Sequence, residues 1–209
     1  MLTMTTDRRA RRTPPASERQ RDPERTKARI IDAAVAEFAA KGFAGARVSE
    51  IAARAGVNQQ LIAYYFDSKE GLYREIGRRW RATEPEAFPD DLDFAELNKR
   101  YVRASVEAGG RLLAWDGLAD TGEDADAEEA AERNARLQQE VERIRERQRA
   151  GELDDRLDPA ALLLIGMSAA NALAVYPQLV RGLFGPDADV VEHYAEQVAL
   201  VFELCRPRP

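Results

Sequence analysis

Apolar residues recur at steps of three and four in one segment after another, the spacing of helices with one buried side. Ile31, Ala34, Val35 and Phe38 give the first helix its stripe. That helix is expected to begin near Asp22, Pro23 and Glu24, where Asp caps, Pro suits the first helical position and Glu complements the dipole. Lys41 and Gly42 should end it, a cation in the last turn and then a glycine that can turn left-handed. Phe43 should pack under the next two helices. Val48, Ile51, Ala52 and Ala55 line a second helix, and Gly56 breaks the pattern where a positive φ is needed. Val57 plugs the turn and Asn58 can cap a third helix. In that helix Ile62, Tyr65 and Phe66 fall at i, i+3, i+4 and point inward. Gln59, Gln60, Ala63 and Tyr64 are left outside. Ser68 caps a fourth helix with Leu72, Tyr73, Ile76 and Trp80 on its apolar side.

Pro85 and Pro89, among several acids between residues 83 and 93, mark a linker that ends the fourth helix. Residues 94–109 read as helix on Phe94, Leu97, Tyr101, Val102 and Val106. Gly109 and Gly110 break it, and residues 111–119 form a short helix. Residues 121–126 are an acidic loop. Residues 128–150 make a long charged helix with a narrow stripe of Leu137, Val141 and Ile144. Pairs such as Glu132 with Arg136 have the favourable polarity, each worth only ~0.2–0.5 kcal/mol. Asp158 and Pro159 start a helix that is apolar almost all round and should kink at Pro177. Residues 190–205 form the last helix, with Val191, Tyr194, Val198, Val201, Phe202 and Cys205 at helical steps. The fold class is therefore all-α, with about nine helices. A helix apolar all round needs contacts on several sides. One side can face its own domain and another a second subunit, and two such helices can pair with their copies into a four-helix bundle.

Composition narrows the function. The 209 residues suffice for one domain or two small ones. No apolar run reaches the ~20 residues of a membrane span, so no membrane partner is expected. The N-terminus has charges but no apolar core, unlike a secretory signal, and the cytoplasm is the expected location. Cys205 is the one cysteine, which excludes an intrachain disulfide. His193 has no second ligand at metal spacing, and no metal or cofactor is expected. Charge is split along the chain: residues 1–83 hold 17 Lys/Arg against 10 Asp/Glu, and residues 84–209 hold 14 against 27. A basic front and an acidic rear suit one part that faces a polyanion and one that does not. Residues 1–21 should be a disordered basic arm, in which Arg8, Arg9, Arg11 and Arg12 either lie on DNA or form a solvated tail.

The outer side of the third helix carries the chemistry. Amides hydrogen-bond base edges and hydroxyls hold phosphates, so this face suits a helix lying in a major groove. Two short helices joined by a tight turn make a helix-turn-helix with the second as reader. There are no paired acids in an apolar setting, no nucleophile with a base, no phosphate loop and no metal set, which argues against a helical enzyme. An architectural protein binding DNA with little sequence preference is the other alternative, and the basic arm would favour it.

Residues 24–82 resemble the DNA-binding domain of the TetR (tetracycline-repressor-like) family of transcription regulators. The segments IIDAAVAEFAAKGF and VSEIAARAGV, a reader ending in YYF, and SKEGLY carry the resemblance. It implies a three-helix helix-turn-helix domain over residues 22–83 and a helical effector-binding and dimerisation domain over residues 84–209. It further implies a ligand-responsive repressor that binds a palindromic double-stranded operator as a homodimer formed by the two C-terminal helices. A small molecule, hydrophobic or aromatic in character, would release it. Base and phosphate contacts would fall on Arg47, Ser49, Asn58, Gln59, Gln60, Leu61, Tyr64 and Tyr65, with Lys69 on phosphate. Arg47 stands where the family often has a capping Thr, so Glu50 loses half of a capping box, and Arg47 can hold a phosphate directly. Ala63 stands where the family often has a phosphate-anchoring Tyr, a role open to Tyr64 or Tyr65. By spacing alone, Tyr65 is core. Effector-pocket candidates are Tyr101, Trp115, Met167, Asn171 and Tyr176. Ser168 and Asn171 are polar in an apolar helix and need partners if buried: a ligand, a neighbouring helix or a second subunit. The aromatic candidates can equally be plain core.

Overall fold

Gly42 sets the first angle of the chain. In the computed structural model, which describes residues 16–89, 91–119, 127–186 and 189–207, it adopts φ 68° and ψ 172° inside α1 (Ala16–Gly45). The arginines of the basic arm at positions 8–12 and the acidic loop at 121–126 lie outside the described residues. α1 starts at Ala16 and not near Asp22, with Pro23 inside it. Ala, Glu, Arg and Gln between positions 16 and 20 favour helix, and Pro23 removes only one donor from the ladder. Residues 16–21 therefore extend the first helix.

α2 (Val48–Ala55), α3 (Gln59–Phe66) and the front of α4 (Lys69–Ala87) close on α1. Their core contains Ile30, Phe38, Ile51, Ile62, Phe66 and Leu72. Phe38 meets the Tyr73 ring edge-on at 4.9 Å and Phe43 at 5.9 Å. Gly56 turns left-handed at φ 63°. The Asn58 carboxamide oxygen accepts from the Gln60 N–H at 2.9 Å, and Ser68 Oγ accepts from the Gly71 N–H at 3.0 Å. These caps satisfy donors that a helix start otherwise leaves free.

Pro85 does not end α4, which continues to Ala87. A proline in the last turn costs one hydrogen bond, whereas Pro89 biases Phe88 away from helical angles and stops the helix. The boundary between residues 83 and 84 thus falls within a continuous helix that links head and body. The body comprises α5 (Phe94–Ala104), a single π-helical turn (Ser105–Gly109), α6 (Gly110–Ala119), α7 (Ala127–Arg149), α8 (Pro159–Val175), α9 (Pro177–Phe184) and α10 (Val190–Glu203). The described residues thus hold ten α-helices, because Pro177 separates α8 from α9 by a 79° bend. No single helix among them is long and apolar enough to cross a membrane. α5 packs on α10 and α8, and Phe94, Val102, Ile144, Leu162, Val198 and Phe202 form the second core. On α7, Val141 and Ile144 are buried while Leu137 is 37% exposed.

Gly110 does not break the chain as expected. It is helical, at φ −64° and ψ −35°. A Cβ there would sit 2.2 Å from Ser105 Oγ and 2.7 Å from Ala174 Cβ. The glycine is needed for close approach of α8, not for a turn. The wider π-helical turn beside it lets Ser105 Oγ donate to Asn171 Oδ1 at 2.7 Å.

Candidate nucleic-acid interface

α3 presents one free face. Asn58, Gln59, Gln60 and Ala63 are exposed, and Tyr64 is 80% exposed. Ile62 and Phe66 point into the core. Tyr65 packs against that core and is half-buried, with the Lys27 ammonium 5.6 Å from its ring centre. Leu61 is half-buried. A hollow of about 340 Å³ borders Gln59, Gln60, Ala63 and Lys69.

Arg47 and Ser49 are exposed at the start of α2. Arg47 is the N-cap residue and makes no side-chain cap. Its N–H instead donates to Glu37 Oε1 of α1 at 3.5 Å. The buried Glu37 also pairs with Lys41 at 2.7 Å. The Lys41 hydrogen bond, reinforced by the Arg47 N–H, holds the Glu37 carboxyl below its ordinary range. A carboxylate from another helix thus takes the place that Glu50 would fill in a capping box.

Lys69 turns back into the protein. Its ammonium donates to the Phe43 carbonyl at 2.8 Å and the Ala46 carbonyl at 3.3 Å, and lies 4.4 Å from the Phe43 ring centre. Two of its three N–H groups are used there, leaving one for a phosphate. The carbonyls at the end of α1 lose their ladder partners at the Gly42 kink, and a nearby cation is the natural donor.

Two contributors escaped the sequence reading. Glu37 is one. Gly71 is the other: a Cβ there would lie 2.0 Å from the Phe66 carbonyl oxygen at the end of α3. A glycine one turn inside a helix costs about 1 kcal/mol against alanine, so its presence in SKEGLY was itself a signal of close backbone approach.

The five effector candidates separate. Trp115 turns towards α1. Its indole N–H donates to the Ala39 carbonyl at 3.2 Å, beside Arg111 Nε on the same oxygen at 3.1 Å. The ring packs so closely on Gly42 that a Cβ there would be 3.0 Å away. Tyr73 of α4 also donates to Asp116 at 2.5 Å. These contacts make α6 the joint between body and head. Asn171 donates to the Met167 carbonyl at 2.7 Å and accepts from Ser105, so its partner is a neighbouring helix. In the single chain Ser168 is exposed, Tyr176 is half-exposed and Met167 is half-buried. Tyr101 is half-buried, stacked on Phe88 at 4.0 Å, with its hydroxyl donating to Glu84 at 3.2 Å. Periodicity finds a buried side but does not name the neighbour that covers it.

Apolar side chains stay open on α8 and around the end of α10. On α8, Ala161, Leu164, Ile165 and Ser168 are exposed at helical steps, and so are Gln197, Leu200 and Val201 on α10 and Leu204 at its C-cap.

A reader helix with a free amide face, on a small helical head jointed to an all-α body, defines a helix-turn-helix DNA-binding regulator. Residues 30–76 match the family described as "Bacterial regulatory proteins, tetR family", and residues 93–205 match "Tetracyclin repressor-like, C-terminal domain". The chain belongs to the TetR family. It is 38% identical over 169 residues to the HTH-type transcriptional repressor SCO4008 of Streptomyces coelicolor, covering 79% of this chain and 86% of that one. It is 37% identical over 94 residues to the HTH-type transcriptional regulator RutR of Escherichia coli, covering 43% and 44%. The crystal structure of SCO4942 from Streptomyces coelicolor superposes with a TM-score of 0.70 at 28% identity, over 88% of this chain and 99% of that one. The function is that of a ligand-responsive, DNA-binding transcriptional repressor and not of an enzyme.

Proposed function

We propose that two copies join through α8 and α10 and place their α3 helices in successive major grooves of a near-palindromic operator in the cytoplasm. The observation that carries this reading is the free face of α3: Gln59, Gln60 and Tyr64 have their side chains in solvent while the opposite side is core. Gln60 and Gln59 offer amides to base edges. Arg47, Ser49 and Tyr64 offer donors to phosphates. Half-sites one helical turn apart lie ~34–36 Å from centre to centre. An effector held in the body favours a shape in which the two readers no longer match that spacing, and only its difference in affinity between the two shapes counts. A coupling of ~1–3 kcal/mol gives a 5–150-fold change in operator affinity. The route runs through α6, whose Arg111 and Trp115 hold the end of α1, and through the continuous α4.

The test is a mobility shift on DNA from upstream of the protein's own gene. Gln60→Ala is expected to cost about 1–3 kcal/mol on the operator, the worth of one good amide–base contact, and little on unrelated DNA. Equal loss on both would remove Gln60 from base reading. A backbone-only binder would show no operator preference in the wild-type protein.

A further inference from the structure

The hollow beside the reader helix has two chemically distinct sides. Val48, Ile62 and Ala63 give it an apolar wall, and Gln59, Gln60 and Asp67 border it with two amides and an acid. Ala63 is exposed, and its methyl group shares one side of α3 with the amides three and four residues back. Asp67, the C-cap residue of α3, is exposed as well. The helix itself, QQLIAYYF, carries no lysine or arginine. Lys69 also borders the hollow, but it gives N–H groups to the Phe43 and Ala46 carbonyls and rests on the Phe43 ring. Asn58 gives its carboxamide oxygen to the Gln60 N–H. The groups left free on this face are thus the Gln59 and Gln60 amides, one carboxylate and one methyl.

We propose that the base pairs facing α3 in the operator are A·T, and that a thymine methyl group sits in this hollow against Ala63 and Val48. A carboxamide offers a donor and an acceptor side by side, the complement of adenine N7 and N6–H₂. Guanine shows two acceptors to the major groove, O6 and N7, which match the donor fork of an arginine or the ammonium of a lysine. The face has neither, and Asp67 offers acceptors only. Thymine alone among the bases puts a methyl group into that groove, and an apolar wall gains by exchanging water for it. Residues one turn apart stand about 5–6 Å from Cβ to Cβ, so the adenine and the methyl group lie within about two base steps of 3.4 Å. Ala63 is therefore a specificity-determining residue, because a longer side chain there fills the hollow. The inference rests on the operator-binding reading and gives the operator a base content.

The experiment selects duplexes from a random pool with the full chain, then measures affinity by mobility shift on the selected duplex and its base analogues. The pairs facing α3 are those where Gln59→Ala or Gln60→Ala relaxes the preference, and these are expected to be A·T. Deoxyuridine in place of thymine removes the methyl group and leaves the pairing intact. It should weaken the wild type about fourfold per half-site, the worth of one buried CH₂ group, and about fifteenfold in both. Deaza-adenine lacking N7 should weaken it about tenfold, and Gln59→Ala or Gln60→Ala should abolish that difference. Ala63→Gln should bind the thymine and uracil duplexes within twofold of each other; comparing two duplexes on one protein cancels any change in folding. Equal wild-type affinity for thymine and uracil at every position overturns the methyl site. A glutamine-dependent preference for G·C overturns the base assignment. In both cases a preferred sequence has been found, so the operator-binding reading stands. A pool that yields no preferred sequence overturns that reading, and the inference with it.

Discussion

Replacing Leu200 and Val201 together by glutamate is expected to leave each copy folded and to lower operator affinity by two to four orders of magnitude. Both side chains are more than half exposed in the single chain, at 51% and 57%, so the change removes little from the core of one copy. They sit on the strip that runs from Gln197 to Leu204 on α10, and this strip borders an open concavity of about 610 Å³ with Glu203 and Arg206 on its rim. In the two-fold pair proposed above the strip meets its own copy, so each glutamate would face like charge and apolar surface, which is costly without a partner. Once the pair separates, the second reader is no longer held near its half-site. Tethering usually raises the local concentration to the millimolar range, and losing it forfeits ~10²–10⁴ in overall affinity without touching a single DNA contact. Sedimentation should show a monomer where the wild type is a dimer, and circular dichroism should show unchanged helix content. A double variant that remains dimeric and binds operator at wild-type strength would place the seam elsewhere. Ile165→Glu on α8 is the independent check, since Ile165 is 55% exposed on the neighbouring strip.

Local signals are legible in the sequence and long-range ones are not. Asn58, Ser68 and Asp158 all cap as their positions in sequence foretold, because a cap depends on three or four adjacent residues. The left-handed glycines at 42 and 56 are legible for the same reason. The free face of α3 followed from periodicity, and Tyr65 went to the core as its spacing required. The contacts that sequence does not reveal are those with a partner distant along the chain. Lys69 is held by carbonyls 23 and 26 residues away. Trp115 is held by one 76 residues away. Asn171 finds Ser105 only because a π-helical turn rotates that hydroxyl toward α8. Glycine was misread in the same way: Gly110 looks like a break in sequence, yet it serves a neighbour that only the fold supplies. A proline does not by itself end a helix: a helix end absorbs a missing donor, and Pro85 sits in the last turn of α4.

Gly71→Ala is expected to destabilise the head and to displace the reader. In an ordinary helix interior this change stabilises by roughly 0.5–1 kcal/mol. Here the sign reverses. The new Cβ would lie 2.0 Å from the Phe66 oxygen and 3.2 Å from its carbonyl carbon. Those atoms are backbone and cannot swing aside as a side chain does. The same oxygen accepts the Ser68 N–H at 2.7 Å, so moving it also strains the turn between α3 and α4. Overpacking of this kind costs about 1–3 kcal/mol, and relief requires α3 to shift against α4 by more than an ångström. For a chain of this size, that cost lowers the melting temperature by roughly 2–12 °C. Operator affinity should fall more than stability does, because base contacts tolerate little displacement of the reader. Gly117→Ala is the matched control: a Cβ at that α6 position meets nothing within 4 Å, and the variant should melt at or slightly above the wild type. A Gly71→Ala protein that melts with the wild type and holds operator equally well would mean that α4 does not rest on the end of the reader helix.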